Sequence, residues 1–242
     1  MHFGLIGKTL THSFSKEYFT QKLNTLGISG HYDLFELSSI EAFPPLLQQH
    51  PLLKGLNVTI PYKTAIIPYL DEVDEIAKTI GAVNTIAFYN GKTKGYNTDC
   101  FGFEQTLLQH FPLKKQRTAI ILGTGGSAKA VEYVLQKYEF EITKVSRIAT
   151  ATSITYHDIN EAIIATNALL VNCTPVGMYP NTDVILPLPF HLFSEQHNFI
   201  DLIYNPVKTA TALQLETVGV HCINGLKMLY AQAEKSWEIW NS

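Results

Sequence analysis

Thr118-Ala119-Ile120-Ile121-Leu122-Gly123-Thr124-Gly125-Gly126-Ser127-Ala128-Lys129-Ala130 is an apolar run that ends in a glycine-rich turn and passes straight into a helical pattern. A short, continuously apolar run of this kind suits a strand covered on both faces of a parallel sheet. Behind the turn, Ala128, Val131, Leu135 and Tyr138 recur along one face of a helix. Glycines in such a turn let the backbone approach a pyrophosphate, and the helix N-terminus offers amide hydrogens and a partial positive charge. The spacing is GxGGxxxA instead of GxGxxG, with Ala130 small enough for a close helix–strand contact. The stretch reads as the first strand–turn–helix of a dinucleotide-binding domain.

The next strand, Ile142 to Val145, should end near the adenosine ribose. An acidic residue there would accept from both ribose hydroxyls and repel a 2′-phosphate. The strand closes instead on Lys144-Val145-Ser146-Arg147. A guanidinium binds phosphate bidentately, so Arg147 favours NADP over NAD.

Working outward, Ala168 to Val171 and Phe199 to Ile203 are further short apolar runs suited to a buried parallel sheet, and residues 101 to 110 form a linking helix. Leu226 to Trp240 is a last helix, with Leu226, Leu229, Ala233, Trp237 and Trp240 on one stripe. Before residue 100 the chain alternates again: strands at Phe3 to Ile6, Tyr32 to Leu37 and Leu56 to Ile60, and helices near Ser15 to Leu26, Ile40 to Gln49 and Asp71 to Thr79. Val83 to Tyr89 and Lys92 to Tyr96 flank Asn90-Gly91, a dipeptide suited to a tight hairpin turn. Strand–helix alternation throughout makes the chain α/β, with a boundary near residue 100.

The 242 residues suffice for two small domains, and 46% apolar with 16% charged residues is globular composition. A net charge of −3 and the absence of a basic run interleaved with aromatics argue against nucleic acid. The apolar stretch Ala162 to Val171 breaks at Thr166 and Asn167, too short for a membrane span, and Met1 to Leu10 lacks the features of a signal peptide. Three cysteines, Cys100, Cys173 and Cys222, without CxxC spacing read as reduced thiols of a soluble, cytoplasmic protein. Nine histidines without an HExxH or a Cys/His cluster give a metal site no support, so no metal is expected.

Polar clusters fall at the ends of several strands, where open α/β sheets hold their ligands. Ser13 and Ser15 precede the first helix, with His12 beside them; one serine can cap it, and two are more than a cap requires. Asn57 and Thr59 share one side of the third strand, and Lys63 follows just past Pro61. Asn84 opens a later strand, while Asn97, Thr98 and Asp99 close the hairpin segment. Hydroxyl, amide, ammonium and carboxylate groups in this combination suit a small polyhydroxylated carboxylic acid. Lys63 and Asp99 form an acid–base pair able to move a proton on an alcohol or carbonyl oxygen.

These segments resemble the shikimate dehydrogenase family almost end to end. His12-Ser13-Phe14-Ser15 matches HSxS, Asn57 to Lys63 matches NVTxPxK, Gly81 to Thr85 matches GAVNT, and Gly95 to Asp99 matches GxNTD. Gly123 to Ala130 fits the family's phosphate loop, Asn172 to Met178 resembles NxTxxGM, Asp201 to Pro206 fits DxxYxP, and Asn224 to Ala233 fits GxxMLxxQA. The resemblance implies a substrate-binding domain (residues 1–99 and 225–242), a Rossmann-like NADP domain (residues 100–224), and a C-terminal helix returning to the first domain. It implies reversible reduction of 3-dehydroshikimate to shikimate, a step toward chorismate and the aromatic amino acids. Lys63 and Asp99 would be catalytic. Ser13 and Ser15 would hold the carboxylate, and Asn57, Thr59, Asn84 and Gln232 the ring hydroxyls, with Tyr204 nearby. Gly123, Thr124, Gly125, Gly126, Ser127, Ser146, Arg147, Thr174, Met178, Leu202 and Gly225 would bind the cofactor, Met178 and Gly225 beside the nicotinamide. Glu75 is a weaker cofactor contact.

The chain departs from the family at three places. Ser146-Arg147-Ile148 stands where the family has NRT, the HN pair after HSxS is absent with Tyr18 and Phe19 in that region, and only 24 residues separate Arg147 from Asn172. That short interval implies a trimmed Rossmann helix. Rival readings are a quinate/shikimate dehydrogenase preferring NAD, a reductase of another cyclic acid, and a nucleotide-sensing relative without catalysis. The expected partner is a small-molecule substrate, shikimate or 3-dehydroshikimate, and the expected assembly is a monomer or a homodimer.

Overall fold

β1 (His2–Gly7) opens a chain that the computed structural model describes over residues 1–10, 13–111, 118–166 and 169–242. His12 and Ala168 of the sequence reading therefore lie outside the described residues. The contacts divide the chain into two units, Met1–Thr98 with Gln232–Ser242, and Asp99–Ala231. The chain thus crosses once just before Asp99 and again within the last helix.

In the first unit, α1 (Phe14–Thr25) follows β1, then β2 (His31–Glu36), α2 (Phe43–Gln49), β3 (Leu53–Val58) and the single-turn α3 (Tyr62–Ala65). β4 (Glu72–Val73), α4 (Glu75–Ile80), β5 (Thr85–Tyr89) and β6 (Lys92–Tyr96) complete the segment. The six strands lie in the order β2-β1-β3-β5-β6-β4; β1 is parallel to both neighbours, and β5 is antiparallel to β3 and β6. Asn90 and Gly91 both take positive φ (50° and 79°) at the β5–β6 turn, as a two-residue hairpin connection requires. Apolar side chains leave the sheet on both faces. Phe3, Leu5, Phe19, Leu23 and Tyr32 pack on one with Ala233 and Trp240, while Ile6, Phe43, Leu56, Val58, Ile66 and Ile86 pack on the other.

The sequence reading departs from the structure at two places here. Ile40–Ala42 forms a 3₁₀ turn and α2 begins only at Phe43, with Pro44 and Pro45 in its first turn, where a missing N–H costs nothing. The helix expected from Asp71 starts at Glu75. Asp74 is its N-cap, accepting from the Ile76 N–H at 3.0 Å, and Glu72–Val73 pairs with Lys94–Gly95 as an edge strand instead.

The second unit runs α5 (Asp99–His110), β7 (Thr118–Leu122), α6 (Gly126–Lys137), β8 (Glu141–Ser146), β9 (Ile154–Thr155), α7 (Glu161–Thr166), β10 (Leu169–Asn172), β11 (Asn198–Asp201), α8 (Ala210–Glu216), β12 (His221–Ile223) and α9 (Leu226–Trp240), the last ending in the first unit. Its strand order β12-β11-β10-β7-β8-β9 is parallel throughout, the doubly wound Rossmann arrangement with its reversal between β7 and β10. Residues 147–153 connect β8 to β9 through a turn closed by Thr150 and Ser153, with no helix. The short interval after Arg147 is thereby accounted for, and α7 persists as six residues. Among the described residues no helix is long and apolar enough to cross a membrane.

Candidate active site

The end of β3 in the first unit gathers a buried hydrogen-bonded set. Asn57 Nδ2 donates to Ser236 Oγ at 3.1 Å, to Thr85 Oγ1 at 3.3 Å and to the Asn84 carbonyl at 3.3 Å. Its Oδ1 accepts from the Tyr32 hydroxyl at 2.8 Å. Burial pushes the Tyr32 phenol well above its usual range, with a hydrogen bond from Ser15 working the other way, so Ser15 reaches Asn57 through one side chain. Asn84 Nδ2 donates to Thr98 Oγ1 at 3.0 Å and to Gln232 Oε1 at 3.4 Å, and its Oδ1 accepts from the Thr98 N–H at 2.7 Å. Among the described residues no buried side-chain nitrogen or oxygen lacks a partner, as a polar cluster inside a core demands.

The other predicted residues of this unit border that set. Ser13 is the N-cap of α1, accepting from the Lys16 N–H at 3.4 Å, which leaves Ser15 as the serine not used by the cap. Thr59 follows β3, its N–H on the Ile6 carbonyl at 2.9 Å. Lys63 is half-buried in α3, and its carbonyl accepts from the Val83 N–H at 2.7 Å, which fixes its backbone beside Asn84. Glu75 is exposed, 3.8 Å from Lys78.

In the second unit the turn after β7 meets the loops after β8, β10 and β11. Gly123 takes φ +106° and donates to the Val145 carbonyl at 2.8 Å; a side chain here would be strained and would touch Thr174. Thr174 is held by Asn172, whose Oδ1 accepts from its N–H at 2.9 Å and its hydroxyl at 2.7 Å. Asn172 in turn donates to Asp201 at 2.9 Å, and Thr209 donates to the same carboxylate at 2.7 Å. Burial raises Asp201 above the usual carboxylate range while these donors oppose it. Gly125 is the N-cap of α6 with no side chain bonded across it, and the space where its Cβ would stand is open. Thr124 is exposed and Ser127 half-buried beside it. That open, positively polarised helix end suits an anion such as a pyrophosphate, so the residues present fit a dinucleotide. At the end of β8, Ser146 Oγ bonds inward to the Ile148 carbonyl and to Ser153, leaving Arg147 exposed as the cation there. Burial pushes the neighbouring Tyr156 phenol up to about 12, although Arg147 pulls it down. Asp99 is buried as the first residue of α5, where the helix dipole favours a carboxylate.

Residues 5–86 match the family model for the shikimate dehydrogenase substrate binding domain. A shikimate dehydrogenase (NADP(+)) of Methanococcus maripaludis is 37% identical over 253 residues, covering 98% of this chain and 90% of that one. The chain belongs to the shikimate dehydrogenase family. A solved shikimate dehydrogenase in complex with NADP+ matches with a TM-score of 0.89 at 32% identity, over 99% of this chain and 89% of that one. A shikimate 5-dehydrogenase from Thermus thermophilus, in complex with NADP(H) and shikimate, matches with a TM-score of 0.87 at 30% identity, over 99% and 93%.

For this member of the shikimate dehydrogenases, Ser15, Asn57, Asn84, Thr98 and Gln232 fall in one hydrogen-bonded set, with Tyr32, Thr85 and Ser236 as members that the sequence reading did not single out as site residues. Ser236 carried a readable signal. It is a hydroxyl four residues past Gln232 on an otherwise apolar stripe, and it bonds back to the Gln232 carbonyl at 2.9 Å. Leu202 donates from its N–H to the Asn172 carbonyl at 3.0 Å, Tyr204 lies half-buried just beyond it, and Met178 is exposed. Gly225 packs so tightly on Leu202 that a Cβ would stand 2.1 Å from the Leu202 carbonyl oxygen. Gly225→Ala is therefore expected to cost about 1–3 kcal/mol in a urea unfolding series, with a wild-type midpoint refuting the close contact.

Proposed function

We propose that this chain catalyses the reversible NADPH-dependent reduction of 3-dehydroshikimate to shikimate. The observation that carries the reading is the Asn57–Asn84–Gln232 set with Lys63 anchored beside it, in a chain whose second unit offers a glycine turn and an open helix end. Amide and hydroxyl groups in that density match the hydroxyls of a cyclic acid, and Ser13 and Ser15 are assigned to its carboxylate. Asn57, Thr59, Asn84 and Gln232 take the ring hydroxyls, with Tyr204 nearby.

The cofactor, when bound, supplies the hydride that adds to C3 of the substrate. Lys63, as ammonium, gives a proton to the carbonyl oxygen as it becomes an alcohol; in the oxidative direction neutral Lys63 takes that proton back. Asp99 is assigned with Lys63 to the handling of that proton. Gly123 to Ser127 hold the pyrophosphate by backbone amides, Arg147 and Ser146 the adenosine end, and Thr174, Met178, Leu202 and Gly225 the nicotinamide end. Burial raises the Cys100 and Cys222 thiols to about 11 and 12, which keeps both protonated, and a cytoplasmic setting is assigned with the rest of this reading.

The testing experiment follows absorbance of the reduced nicotinamide with shikimate or quinate against NADP or NAD. Turnover with shikimate and NADP is expected. Faster turnover with quinate or NAD would move the chain to the broader-specificity reading, and no turnover in any combination would overturn the enzymatic one. Arg147→Ala should raise the KM for NADP about tenfold, the equivalent of about 1.4 kcal/mol, and leave the KM for NAD within a factor of two. A parallel rise in both would remove Arg147 from the 2′-phosphate.

A further inference from the structure

The opposite end of the first sheet, where β1 and β2 begin, carries a cluster that the reaction does not use. The parallel register sets His2 beside His31, and Asp33, two residues along β2, returns to the same face of the sheet. His2 Nε2 lies 2.9 Å and His31 Nε2 3.5 Å from Asp33 Oδ2. Among the described residues this is the one set of three histidine, cysteine or acidic side chains whose donor atoms all fall within 4.8 Å of one another. The His50 ring, at the end of α2, is centred 5.5 Å from that of His2, edge to face. Phe35 packs against both His2 and His50, giving the cluster an apolar wall.

We propose that His2, His31 and Asp33 form a binding site for a divalent transition-metal ion of the zinc type. Bonds of about 2.1 Å to imidazole nitrogen and carboxylate oxygen put neighbouring ligand atoms of a tetrahedral ion about 3.4 Å apart. The two donor separations on Asp33 straddle that value, so an ion needs only small side-chain rotations. Two imidazoles with one carboxylate select zinc, cobalt or nickel over calcium and magnesium, which prefer all-oxygen shells.

The ion would act as a clip. β2 is the outermost strand of its sheet, and a metal bridging His2 to His31 and Asp33 ties it to β1. Asn57 and Thr59 lie at the far end of the sheet, on and just past β3, with Asn57 opposite Leu5 of β1, so the site is separate from the one assigned to substrate.

Chelator-stripped protein without an affinity tag, titrated calorimetrically with zinc sulfate alone, should bind one ion per chain with a Kd of 10 micromolar or tighter. A hundredfold excess over that Kd should raise Tm by about 5 °C or more. His31→Ala and Asp33→Asn, both at partly exposed side chains, should fold with an unchanged metal-free Tm, weaken zinc at least tenfold and abolish the rise. The proposal is overturned if no ion binds below 100 micromolar, or if either variant binds zinc as wild type does, since the ion would then be held elsewhere.

Discussion

Lys63→Ala should lower kcat for shikimate oxidation by about 10²–10⁴-fold while moving the KM for shikimate less than threefold, a loss of about 3–5 kcal/mol confined to the transition state. The expectation follows from how Lys63 is attached. α3 is held at Lys63 by a backbone bond, its carbonyl on the Val83 N–H at 2.7 Å, and an alanine keeps that bond intact. Asn57, Asn84, Thr98, Gln232 and Ser236 bond directly to one another. Substrate affinity should therefore survive when the proton donor is gone. Steady-state kinetics in both directions decide the matter; equal losses in kcat/KM through KM alone would make Lys63 a binding group. Asp99→Asn separates two roles for the buried carboxylate in the same way. A catalytic role predicts a fall in kcat at constant Tm, whereas a role limited to the helix N-terminus predicts a fall in Tm at constant kcat.

The second unit was the more legible half. A glycine turn between an apolar strand and an amphipathic helix is a local pattern, and β7, α6 and β8 lie where Thr118 to Val145 indicated. Short elements escaped because their stabilisation is not local. Glu72–Val73 has no strand pattern of its own and pairs only because β6 offers an open edge, and His221–Ile223 is likewise defined by pairing with Asn198–Ile200. The site divides the same way. Asn57 and Asn84 stood out because strand ends carried amides that packing did not need, and Gln232 entered only through the family resemblance. Tyr32 and Thr85 are ordinary core-pattern residues in one dimension, and only the sheet register reveals their hydroxyls as partners. The histidine cluster is the extreme case: His2, His31 and Asp33 have no ligand spacing in sequence, and parallel pairing of β1 with β2 creates it.

Trp240→Ala should cost about 3–5 kcal/mol of unfolding free energy, the largest stability loss expected from one substitution here. Trp240 is the last residue of α9 and 8% exposed. Its ring lies 4.9 Å from that of Phe3, stacked at 25°, and 5.0 Å from that of Phe19, and its Nε1 donates to the Ile86 carbonyl at 3.0 Å. Opposite it stands Gly55, where a Cβ would come within 2.2 Å of Nε1, so β3 leaves a slot that the indole fills. Truncation empties the slot between two strands and a helix whose positions are set by other contacts, so collapse is limited and most of the cavity cost remains. The same helix carries Gln232 and Ser236 into the polar set, so loosening its end should also raise the KM for shikimate. Trp240→Phe, which keeps an aromatic ring but not the donor, should recover more than half of the lost stability. Urea unfolding with paired kinetics reads both effects. A loss below about 1 kcal/mol for the alanine variant would mean that the indole does not anchor α9, and the attachment of this helix would then rest on Tyr18 and Lys22 through Glu234.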